Sequence, residues 1–155
     1  MDAPKKVIKA DGLLQVCWLI ANTEAKNLGF AEILPIHFLL AVMKVIDPEF
    51  PNQLDKLNIT SEEWAAMCKE AQSIRQYIDV MPERVTGKRR GLRQRLASKR
   101  TSPPIEADGF LHRSQGLKRA FSDACMFTEG DTLTLRKLVE SLFELEFVSL
   151  DDIKG

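Results

Sequence analysis

Displaced by 99 residues, the chain matches itself across two consecutive helical patterns without a gap. Ala21 then meets Ala120, Ala25 meets Ala124, Leu28 meets Phe127 and Leu34 meets Leu133. Further along, Ile36 meets Leu135, Leu39 meets Leu138, Leu40 meets Val139 and Met43 meets Leu142. Polar positions follow in part: Thr23 with Ser122, Glu24 with Asp123, Glu32 with Asp131. Apolar spacing alone lets any two amphipathic helices coincide. Alanine opposite alanine is harder to obtain by accident, because small residues mark places where helix axes approach closely. The 155-residue chain is therefore read as a duplicated helical unit. The competing reading is a set of unrelated amphipathic helices.

The helices themselves are written in three- and four-residue steps. Leu14, Cys17, Trp18, Ala21, Ala25 and Leu28 form one stripe, which Gly29 ends. Pro35 suits the first turn of the next helix, where its missing N–H is not needed, and Ile36, Leu39, Leu40, Met43 and Ile46 follow. Asp47-Pro48 stops that run, and a short helix is predicted around residues 52–57. Thr60 and Glu63 make a capping box that opens a long helix through Trp64, Met67, Ala71, Ile74, Ile78 and Met81. Helical spacing resumes over 114–128 and 135–145, and SLDDIKG reads as the start of one more helix. Alternating strand patterns are missing throughout, so the expected class is all-α.

Between the two halves the composition breaks. Residues 84–100 hold eight basic side chains and no acid, punctuated by Gly87 and Gly91, with Pro103 and Pro104 beyond them. The chain as a whole has a formal net charge of zero, so no global field draws it to nucleic acid or membrane. Cys17, Cys68 and Cys125 lie far apart without a CxxC pair; they read as buried small hydrophobes of a reducing compartment, not as metal ligands. No apolar stretch is long enough to span a bilayer, and a cytoplasmic location is expected.

Ala21, Glu24-Ala25, Leu28-Gly29, Ile33 and His37-Phe38-Leu39-Leu40-Ala41 together resemble the Clp N-terminal domain, the module that precedes the ATPase rings of Clp-type AAA+ protein unfoldases. Ala120, Asp123-Ala124, Phe127 and Leu138-Val139 keep part of the pattern, without its glycine and histidine. The resemblance covers roughly residues 10–155. It implies a pseudo-twofold bundle of two Clp-type repeats (about 10–80 and 111–155) joined by a long basic linker (about 81–110). The second repeat stops before its final helix, so the chain is expected to be part of something longer; the alternative is a free-standing adaptor-like protein. The implied activity is docking of adaptors and unfolding substrates, with no catalysis and no cofactor in this chain. Consistently, no GxxxxGK[ST] phosphate loop is present. Some family members bind phosphorylated arginine through a glutamate just before the motif histidine. Here the two corresponding places are Pro35-Ile36 and Thr134-Leu135, which lack a carboxylate.

Three functional readings follow. A protein- or peptide-binding module would use a groove between helices, with Tyr77, Met81 and Phe110 as apolar anchors beside the connector. Those residues would equally serve to close the core beneath the linker. Arg89, Arg90, Arg93 and Arg95 could meet an acidic protein surface or a nucleic acid, or simply be solvated; no aromatic residue accompanies them for base stacking. An enzyme is the least supported reading, because His37, His112 and the cysteines form no nucleophile–base set by spacing. His37, between two apolar runs at a helix start, is expected to be buried for packing.

Overall fold

The computed structural model describes residues 9–79 and 109–145. Asp11 is extended (φ −73°, ψ 174°) and its carboxylate accepts the Leu14 N–H at 2.8 Å, which starts α1 (Gly12–Asn27). The helix ends where Gly29 turns left-handed at φ 77°. There the Gly29 N–H reaches the Lys26 carbonyl (3.0 Å) and the Phe30 N–H reaches Ala25 (2.9 Å), so the last orphan carbonyls are satisfied. Pro35 opens α2 (Pro35–Val45). A 3-10 helix over Phe50–Leu57 stands where a short helix over 52–57 is expected. It closes at left-handed Asn58 (φ 56°).

Thr60 and Glu63 exchange the reciprocal bonds of a capping box at 3.1 and 3.0 Å, and α3 (Ser61–Asp79) follows. In the second half Ser114 caps α4 (Gln115–Met126) through the Leu117 N–H, and Thr134 caps α5 (Leu135–Glu144) through the Lys137 N–H. The expected turns around Leu92–Ser98 and the start of a final helix in SLDDIKG lie outside the described residues, as do Met81, Arg89, Arg90, Arg93 and Arg95.

The fold is mostly helical, with one correction. Lys9–Ala10 (β1) pairs in parallel with Thr132–Leu133 (β2), and Ile33 bridges to Arg113, also in parallel. Two-residue strands are too short to write any alternation, which is why periodicity does not register them. Their bonds are regular: Asp11 N–H to the Leu133 carbonyl and Ser114 N–H to the Ile33 carbonyl, both 2.9 Å.

One core draws on both halves. Leu14 and Cys17 of α1, Phe38 and Leu40 of α2, Ile74 and Ile78 of α3, Leu117 of α4 and Leu138 of α5 are all within 1% of complete burial. α1 packs chiefly on α2 and α4 chiefly on α5, while α3 lies against both α1 and α5. Ala21, Ala25, Ala120 and Ala124 are wholly buried. Every residue from His37 to Met43 is buried; a helix covered on all sides is the innermost element, and this explains its nearly unbroken apolar sequence. Glu24 of α1 is buried and ion-paired with Lys44 of α2. Asp123 of α4 accepts the Ser141 hydroxyl of α5 at 2.9 Å.

Candidate functional site

Trp18 sits on the outer side of α1, half-buried, where three chain segments converge. Its ring meets Phe121 of α4 at 5.0 Å between centroids, Phe38 of α2 at 6.3 Å and Phe110 at 6.2 Å. The Ile33–Arg113 bridge fixes the backbone just ahead of α4, and from there the Arg113 guanidinium lies over Trp18 (5.1 Å) and Phe121 (4.7 Å). A second anchor holds the returning chain. The buried side chain of Asn22 accepts the Leu111 N–H at 2.8 Å and donates to the Gly109 carbonyl at 3.3 Å, and Lys26 reaches the same carbonyl.

Two open grooves flank Trp18. One, of about 790 Å³, is walled by Phe121, Cys125, Met126 and Leu133 and edged by Arg113 and Lys118. The other, of about 410 Å³, is lined by Val16, Leu19, Ile59, Met67 and Phe110. Large apolar side chains remain uncovered at both: Met126 is 80% exposed, Phe110 55% and Leu19 39%.

Of the anchors named from sequence, Phe110 stands at this place. Tyr77 does not: it is half-buried against Phe143 of α5 (6.4 Å) with the Arg136 guanidinium above it at 5.1 Å, in the seam between α3 and α5. The Trp18–Arg113–Phe121 cluster was missed. Its members are spread over more than ninety positions of sequence, and the only local hint was an arginine directly before a helix cap. The buried-thiol expectation holds in full for Cys17 alone; Cys68 and Cys125 are half-buried, with Cys125 packed against the core.

His37 is completely buried. Its Nδ1 accepts the Leu34 N–H at 2.9 Å and its ring meets Phe30 edge-on at 4.8 Å, while Nε2 has no partner. Burial drives its pKa down from 6.5 to about 4, outweighing the opposite pull of the Glu24 carboxylate. A neutral, sealed imidazole caps and packs; it has no route to a substrate. His112 is exposed, with its backbone carbonyl bound to Ile33.

Glu70 is the other displaced group. Burial first, then a hydrogen bond and repulsion from the Asp11 carboxylate, push it up to about 8, although the Arg136 and Leu135 N–H groups at the start of α5 favour its charged form. Burial, with the charges of Glu70 and Asp11, also raises the Cys17 thiol well above its usual value. Such a thiol is a poor nucleophile. Among the described residues no group of His, Cys, Asp and Glu could hold a metal ion, and no helix is long and apolar enough to cross a membrane. What the arrangement can do is bind: rings, an arginine fork and uncovered apolar side chains share one surface.

No protein-family model matches the chain, and neither a curated protein nor a solved structure matches it.

Proposed function

We propose that this chain is a pseudo-twofold bundle of two Clp-type helical repeats that works as a non-catalytic docking domain for substrates or adaptors of an AAA+ unfoldase. Reciprocal pairing supports the duplication. The residues ahead of the first helix in each half pair with those ahead of the second helix in the other: Lys9–Ala10 with Thr132–Leu133, and Arg113 with Ile33. Asp11 and Ser114 cap those first helices through equivalent bonds, to Leu14 and Leu117. The C-caps Leu28 and Phe127, and Ile46 and Leu145, keep the 99-residue displacement. Ala21 with Ala25 and Ala120 with Ala124 occupy matching buried crossings, and each half ties its first helix to its second through an acidic side chain, Glu24 or Asp123.

The observation that carries the docking reading is the pair of apolar grooves either side of Trp18, rimmed by exposed Phe110 and Met126. Exposed apolar side chains on a rigid helical frame are what a groove-binding domain offers a partner. Titrating the full chain with a chemically unfolded, thiol-blocked globular protein, followed by tryptophan fluorescence, tests it. Saturable binding is expected, weakened by Phe110→Ser and Met126→Ser without a change in melting temperature. Absence of saturable binding would overturn the docking function.

A further inference from the structure

The larger groove beside Trp18 carries a charge pattern that an apolar ligand leaves unused. Arg113 and Lys118 line it, and among the described residues no carboxylate does. The Arg113 guanidinium lies against two adjacent rings, Trp18 at 5.1 Å and Phe121 at 4.7 Å, whose centroids are themselves 5.0 Å apart. Its N–H edge has no hydrogen-bond or ion-pair partner among the described residues. The Trp18 Nε1–H, in the same cluster, also lacks an acceptor among the described residues. A planar cation packed against rings keeps its donors aligned, and the rings exclude water from that side. Such a fork matches a carboxylate, which accepts two parallel N–H bonds from it. Phe121, Met126 and Leu133 form an apolar wall next to the fork, so a bare anion would use only half of the surface.

We infer that this groove recognises an acidic–apolar peptide segment of a partner protein, with a glutamate or aspartate carboxylate on Arg113 and an adjacent bulky apolar side chain against Phe121 and Met126. The inference rests on the docking reading above and adds the chemistry of the partner. Lys118, exposed at the groove edge, contributes longer-range attraction that salt screens.

The test uses the full chain and three short capped peptides alternating leucine with glutamate, with glutamine or with lysine, titrated by tryptophan fluorescence. The glutamate peptide is expected to bind at least about tenfold more tightly than the glutamine one, the lysine peptide least, and added salt to narrow the gap. Arg113→Gln should abolish the preference, Lys118→Gln should reduce it about threefold, and Arg119→Gln, exposed on α4 outside the groove, should leave it intact. Helical circular dichroism of each variant shows that it has folded. Lys118→Gln keeps the test decisive if Arg113→Gln loosens the Trp18 stack. Equal affinity for the glutamate and glutamine peptides, or displacement of the glutamate peptide by inorganic phosphate alone, overturns the inference while leaving the docking domain standing. Failure of every peptide to bind also overturns it, and the unfolded-protein titration then decides the docking reading separately.

Discussion

Replacing His37 with asparagine should remove a defined acid sensitivity. The imidazole is completely buried, and its pKa lies at about 4 in place of 6.5. Between those two values the unfolded chain takes up a proton that the folded chain refuses. Stability therefore falls as the pH drops below 6.5, and the loss is complete near the folded pKa. A displacement of this size corresponds to about 3 kcal/mol, a large fraction of a small domain's stability. His37→Asn keeps a side-chain oxygen that can accept the Leu34 N–H, but it cannot take up the proton. At neutral pH the variant should be less stable by about 1–3 kcal/mol, because the ring contact with Phe30 is gone. On acidification its curve and that of the wild type should converge. The assay is urea unfolding followed by tryptophan fluorescence at steps across this range. Glu70 acts in the opposite sense over an overlapping window, so the readout is the difference between the two proteins. Parallel loss of stability would refute the reading of His37 as a neutral packing residue.

Glu70→Gln should flatten an alkaline loss of stability. The folded pKa of Glu70 is raised from 4.5 to about 8, so its favourable contribution is complete below 4.5 and disappears as the pH rises toward 8. The wild-type melting temperature should fall over that interval, and the fall should be smaller in the variant. Ala25→Leu and Ala124→Leu, each forcing a larger side chain into a wholly buried helix crossing, should both cost about 1–3 kcal/mol in urea unfolding. An effect at one position with none at the other would count against equivalent crossings in the two halves.

The link between carboxyl group and helix end at Glu70 shows how tertiary contacts reassign ordinary residues. Its side chain meets Asp11, the cap of α1, and accepts the Arg136 N–H of α5 at 3.3 Å. Nothing in the local sequence distinguishes it from the exposed Glu62 earlier on the same helix. The same holds for Arg113 and Arg119, the same residue type in unlike settings: one packs against two rings and the other is exposed.

Helix positions, the Thr60–Glu63 cap, the Gly29 stop and the buried state of His37 were readable in the chain because they depend on neighbours a few residues away. Three- and four-residue spacing marks the buried face, Thr60 with Glu63 satisfies its own N–H groups, and Gly29 adopts a left-handed turn that other residues resist. The four alanines of the displaced match are all buried in the structure. The strand pairings, the clamp of Asn22 on Gly109 and Leu111, and the Trp18–Arg113–Phe121 cluster were decided only by the fold. Each joins segments separated by most of the chain, and no periodicity records which distant residue will fill the space beside a given side chain.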